Sequence, residues 1–134
     1  MWQEINENPS GRRTTDCVIR ALSALTGRSW DSIYLEVVME GFVQKDMPEM
    51  ANVWGAVLKR NGYHRHIIPD TCPDCYTVSD FCKDHPTGNY LLSIPGSNAH
   101  VVAVVDGDHI DTWDSGDLIP QYYWHDGDEK GGEE

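Results

Sequence analysis

Nucleophilic acyl transfer needs a thiolate or alkoxide, a base within reach of it and a group that orients the base. Cys17, His100 and a following aspartate, Asp111 or Asp114, have the right types. The run Asp-Cys-Val-Ile-Arg-Ala-Leu sets Cys17 in the first turn of an amphipathic segment. There the helix dipole and the unpaired backbone N–H groups favour a negative sulfur. His100 opens the strand-like run His-Val-Val-Ala-Val-Val, from which an imidazole can reach a helix start packed on the sheet. Asp106-Gly107 is a two-residue hairpin signal, and it pairs Val105 with Asp108 and Val102 with Asp111. His100 and Asp111 then lie on one face as diagonal neighbours, whereas Asp114 falls on the other face unless the loop is one residue longer.

These residues need a helix and a sheet to hold them, and the apolar pattern supplies both. Val18, Leu22 and Leu25 recur at helical spacing from Thr14 or Thr15 to Gly27, with Thr15 or Asp16 as cap. Trp30, Ile33, Tyr34, Val37 and Val38 predict a second helix after Ser29, stopped by Gly41. A third opens at Pro48, with Met50, Val53, Trp54, Val57 and Leu58 inward, and closes at Asn61-Gly62. The period then changes. Tyr63, Ile67 and Ile68 predict a short strand, Thr77 caps a short helix over Val78 to Asp84, and strands follow at Asn89–Ile94, Ala99–Val105, His109–Trp113 and Pro120–Trp124. The expected architecture is α+β, with helices first and an antiparallel sheet last. It forms one domain over residues 1–125, followed by an acidic, disordered tail over 126–134.

With these residues in place, the chain resembles the papain-like cysteine peptidase superfamily. The likeness lies in a cysteine that opens the first helix, a late histidine in His-Val-Val-Ala-Val-Val-Asp-Gly, and Ile-Asp-Thr-Trp on the next strand. The wording Asp-Cys-Val-Ile-Arg-Ala-Leu, His-Pro-Thr-Gly-Asn-Tyr and Asp-Thr-Trp-Asp-Ser is similar to small papain-fold proteins of gut bacteria and their phages, from about Asn8 to Trp124. The resemblance implies a cysteine hydrolase (peptidase, isopeptidase or amidase). Cys17 would attack, His100 would act as general base, Asp111 would orient His100 ahead of Asp114, and Trp113 would shield their bond. It also implies a protein or peptide substrate. The Cys-Gly-Ser-Cys-Trp signature is missing, and Gly11 stands where the family carries its oxyanion-binding glutamine. The backbone N–H of Cys17 and the amide of Asn8 are the expected replacements. A catalytically silent binding module of the same fold is the alternative, and a transferase would use the same residues.

Cys72, Cys75, Cys82 and His85 read Cys-x2-Cys-x6-Cys-x2-His and define a possible structural zinc site, although folding at this length needs no cofactor. A small zinc-binding interaction protein is therefore a third reading. A Cys72–Cys75 disulfide is not expected in a reducing compartment. Arg12 and Arg13 precede the nucleophile and are placed to lower its pKa or hold a carboxylate. Arg20 is placed to pair with a carboxylate one helical turn away. His64 and His66 are expected at the surface, and His109 on the face of His100.

Ten Lys and Arg against 22 Asp and Glu give a net charge of -12 over 134 residues. Such a surface repels phosphate backbones and anionic headgroups, so no nucleic acid and no membrane is expected as partner. No apolar run approaches the about 18 residues of a membrane span, and Met-Trp-Gln-Glu-Ile-Asn-Glu-Asn lacks the basic start and apolar stretch of a signal peptide. The expected location is cytoplasmic.

Overall fold

The computed structural model describes residues 1–95 and 100–127, so Ala99 and the tail beyond Gly127 lie outside the described residues. In chain order the elements are β1 (Trp2–Glu4), α1 (Cys17–Thr26), α2 (Trp30–Gln44), α3 (Ala51–Arg60), β2 (His64–Ile67), α4 (Val78–Asp84), β3 (Asn89–Ile94), β4 (His100–Val105), β5 (Asp108–Asp111) and β6 (Tyr122–His125). The strands form one six-stranded sheet in the order β1-β5-β4-β3-β6-β2. The fold is α+β, as the sequence pattern implies.

Local chemistry accounts for most of the boundaries. Gly27 ends α1 in the left-handed conformation at φ 74°, with its N–H on the Ser23 carbonyl. The Ser29 hydroxyl accepts from the Ser32 N–H at the start of α2. Thr77 and Asp80 form a reciprocal capping box on α4. Asp106 and Gly107 both take positive φ, 48° and 82°. That is what a two-residue hairpin turn of this twist requires, and Val105 accordingly pairs with Asp108.

Several features differ from expectation, and β5 ends at Asp111, short of Trp113. The helix α2 runs through Gly41 to Gln44 and turns out at Lys45, which sits at φ 60°. Gly41 serves close approach instead, since a Cβ there would stand 2.7 Å from the Asp46 carbonyl oxygen. The helix α3 starts at Ala51, because Met50 is extended (ψ 139°) and Pro48 lies in the turn before it. Thr14 and Thr15 stay outside α1, which begins at Cys17. The sheet is mixed and not purely antiparallel, because β1 adds in parallel to β5 with Trp2 opposite His109.

The sheet carries apolar residues on both faces. On one, α1, α2 and α3 bury Leu22, Ile33, Val37, Val53, Val57 and Leu58 completely against Leu91, Val101, Ala103 and Trp124. Each such side chain contributes roughly 1.5–3 kcal/mol. On the other face α4 packs Val78 and Phe81 over Tyr90, Leu92, Val102 and Val104. Trp54 meets Trp124 edge to face at 6.1 Å, which draws α3 onto β6. Because α1 packs across β4, its first residue is brought to the strand that carries His100.

Candidate active site

Cys17 is the first residue of α1 and is half-buried. The N-cap Asp16 makes no side-chain capping bond, so no cap side chain covers the backbone N–H groups beside the thiol. The His100 side chain and the Val101 backbone lie beside the sulfur and favour its charged form. Burial pushes the thiol pKa up, but those two neighbours, with the positive charges of His100 and Arg20, outweigh it. The thiol therefore titrates below its ordinary range.

His100 Nε2 lies 2.6 Å from Asp111 Oδ2, which leaves Nδ1 for Cys17. Burial alone would lower the imidazole pKa. The hydrogen bonds to Asp111 and Cys17, and both negative charges, push it up to about 9. Both shifts act in the direction of a thiolate beside an imidazolium. The Trp113 ring lies 5.1 Å from the imidazole between centroids and is itself half exposed.

Asp111 is 1% exposed, and its carboxylate takes donors on both oxygens. Oδ2 accepts from Ser115 Oγ at 2.8 Å besides facing His100. Oδ1 accepts from the Thr112 N–H at 2.8 Å and from Arg20 at 3.2 Å. Burial raises its pKa, but the His100 contact and these donors overcome that and keep Asp111 ionised.

Arg20 joins the site to the helix start. Its Nε donates to Asp16 Oδ1 at 2.8 Å, one turn back along α1 as the spacing suggests, and Nη1 donates to Asp111. Asp16 Oδ2 accepts in turn from Trp30 Nε1 at 2.9 Å and Asn8 Nδ2 at 3.2 Å. Helix α1, helix α2, the segment before α1 and β5 therefore share one buried ion network. Spacing indicates only the Arg20–Asp16 link. Trp30, Ser115 and the Arg20–Asp111 contact had no sequence signal. Glu7 was also missed. It is half-buried near Asp111, Asp16 and Arg20, and burial raises its pKa against the pull of Arg20.

The other expected residues fall as follows. Asp114 bonds His109 Nε2 at 2.9 Å and so takes no part with His100. His109 turns toward α4, its Nδ1 3.9 Å from Cys82 Sγ. The amide of Asn8 faces Asp16, while Asn8 Oδ1 accepts from Ser10. Arg13 holds the Thr112 carbonyl at 2.8 Å and Glu4 at 3.2 Å, tying the segment after β5 to the chain start; Arg12 is exposed. His66 is buried and stacks on Tyr123, contrary to its expected place at the surface.

The cysteine cluster departs from expectation. Cys72 and Cys75 are joined in a disulfide, S–S 2.02 Å, in a turn that brings their Cα atoms to 4.1 Å. Sulfurs bonded to each other offer no thiolate to a metal. Cys82 is buried, and burial pushes its thiol pKa up. His85 stacks on Phe81 and binds its carbonyl through Nδ1 at 2.9 Å. Among the described residues no three His, Cys, Asp or Glu side chains are grouped to hold a metal ion. Also among them, no helix is long and apolar enough to cross a membrane.

A scan against protein-family models finds no match for this chain, and neither curated proteins nor solved structures yield a similar one.

Proposed function

We propose that the protein is a cysteine hydrolase of papain-like type that cleaves an amide bond in a protein or peptide. The observation that carries this reading is the 2.6 Å hydrogen bond between His100 and Asp111 with Cys17 beside the same imidazole, the three drawn from a helix start and two neighbouring strands. Cys17 Sγ attacks the carbonyl carbon while the first-turn N–H groups of α1, that of Cys17 included, accept the negative charge that builds on oxygen. The C–N bond then breaks, and His100 Nδ1 delivers its proton to the leaving amine. Water attacks the resulting thioester, His100 takes one of its protons, the C–S bond breaks, and the acid leaves. Asp111 holds Nε2 so that Nδ1 stays turned to the sulfur. Trp113 screens that contact from water. Arg20 positions Asp111 and keeps it ionised. The order of Cys17, His100 and Asp111 along the chain, and their similarity to the papain pattern, support the same reading. The chemistry needs no cofactor, and it requires Cys17 as a free thiol, as it is in the structure.

The test requires no substrate. Iodoacetamide is pulsed onto the native protein between pH 4 and 9, and the alkylation rate at each cysteine is read by mass spectrometry. Cys17 is expected to react well below the ordinary thiol pKa of about 8.5. His100→Ala is expected to restore ordinary titration. A Cys17 that titrates like a free thiol in both proteins would replace this reading with that of a catalytically silent binding module.

A further inference from the structure

A cavity of about 430 Å³ opens between α3 and the β3–β6–β2 part of the sheet. Trp54, Tyr122 and Trp124 give it aromatic walls, Ser93 adds a hydroxyl, and Lys59 and Arg65 stand beside it. Its size suits a side chain or small ligand. In a chain with 22 acidic and ten basic residues, no Asp or Glu among the described residues lines this cavity. Lys59 is exposed, and the Arg65 guanidinium lies over the Tyr122 ring, 4.6 Å from its centroid. Among the described residues neither cation forms an ion pair. Trp124 is 5% exposed, and among the described residues its Nε1 has no hydrogen-bond acceptor. Among the described residues the walls thus combine a donor left unused with two positive charges that have no paired acid, which is complementary to a carboxylate and unfavourable to a cation.

The sheet register relates this cavity to Cys17. Tyr122 pairs with Ser93, and Ser93 with Val101, so the three residues form one row across β6, β3 and β4. Val101 belongs to the buried cluster against which Cys17 packs, and its backbone lies beside the sulfur. Cys17 and Trp124 both pack on the face covered by α1, α2 and α3. Strands are spaced about 4.8 Å apart, so Tyr122 stands about 10 Å from Val101 along the row. An extended peptide covers that span in about three residues.

We infer that this cavity binds a carboxylate-bearing side chain of an extended peptide, two to three residues from the bond that Cys17 attacks. The inference rests on the hydrolase reading for its position, and its binding chemistry is tested without turnover. The carboxylate lies between Lys59 and Arg65, and its methylene stem packs on Trp54 and Tyr122.

The experiment uses Cys17→Ala protein and acetyl-Glu-Ala-Ala-Glu-amide, which presents a carboxylate in either chain direction. Its Gln and Lys counterparts and N-acetylglutamate serve as comparisons. Binding is measured by calorimetry, and the site by NMR shifts of the Trp54 and Trp124 indole N–H signals. The Glu peptide is expected to move both signals and to bind about tenfold more tightly than the Gln or Lys peptide. Lys59→Gln and Arg65→Gln are each expected to weaken it about threefold, the ordinary worth of a partly exposed ion pair. Equal binding of the three peptides, or shifts that avoid Trp54 and Trp124, overturns the inference. N-acetylglutamate binding as tightly as the peptide overturns it in favour of a small free carboxylate. Iodoacetamide titration of wild-type Cys17 keeps the two readings apart. Selective Glu-peptide binding beside an ordinary Cys17 supports the cavity and removes the hydrolase, whereas a low-pKa Cys17 beside unselective binding does the reverse.

Discussion

Replacing Arg20 by methionine removes the one cation shared by two buried carboxylates, with the stem volume kept. Asp16 and Asp111 are 6% and 1% exposed, and Arg20 reaches them at 2.8 Å and 3.2 Å. Removing one partner of a buried pair typically costs about 3–5 kcal/mol, because an uncompensated charge stays behind. A domain of this kind has about 5–15 kcal/mol in total. Asp16 keeps Trp30 and Asn8 as donors, and Asp111 keeps Ser115 and Thr112, so the loss should lie near the lower figure. At roughly 3–4 °C per kcal/mol for a chain of this length, the melting temperature should fall by about 10 °C. The pH dependence makes the test specific. Wild-type Asp111 titrates below its ordinary range, so its contribution is present above the unfolded carboxylate pKa and is lost as pH falls through the folded value. Without Arg20 the Asp111 carboxylate protonates more readily, so the deficit of the variant should shrink between pH 7 and pH 3. Thermal melts followed by circular dichroism at both pH values measure it. A deficit below about 1 kcal/mol, or one of equal size at both pH values, would refute the assignment of Arg20 as the counter-ion of the site.

Two further perturbations test the same network from other sides. The His100 pKa is pushed up to about 9, above its unfolded value of about 6.5. Its contribution to stability is therefore whole below about pH 6.5 and disappears as pH rises through 9. In Cys17→Ser protein, which removes the opposing thiol titration and the thiol's share of the upward shift, urea unfolding should show stability declining by about 1–3 kcal/mol as pH rises from about 6.5, ending below pH 9. Adding His100→Gln should abolish the decline; an unchanged slope would show that His100 is not held by Asp111. Trp30→Phe keeps the ring stacked on Tyr34 but deletes the 2.9 Å bond from its N–H to Asp16. A loss of about 1.5–3 kcal/mol is expected for a hydrogen bond to a buried charge, and a loss under about 0.5 would place Asp16 in contact with water.

What was legible in the sequence follows from interactions over short separations. Gly27, Ser29 and Thr77 mark helix ends because a left-handed cap or a hydroxyl acceptor acts within one turn. Asp106-Gly107 sets the parity of β4 against β5, and with it the meeting of His100 and Asp111, because a two-residue turn permits only one register. Cys17 at a helix start is likewise a local fact. The tertiary structure decided whatever depends on residues remote in the chain. Trp2 to Glu4 has no pattern of its own and becomes a strand only because the β5 edge offers it hydrogen bonds. Asp114 goes to His109, Asn8 turns to Asp16, and Trp54 meets Trp124 through packing between distant segments, which no periodicity encodes. Arg20 gains Asp111, 91 residues away, for the same reason. The identities of the reacting groups can thus be read along the chain, while the charge balance that sets their protonation exists only once the helix and the sheet have been packed together.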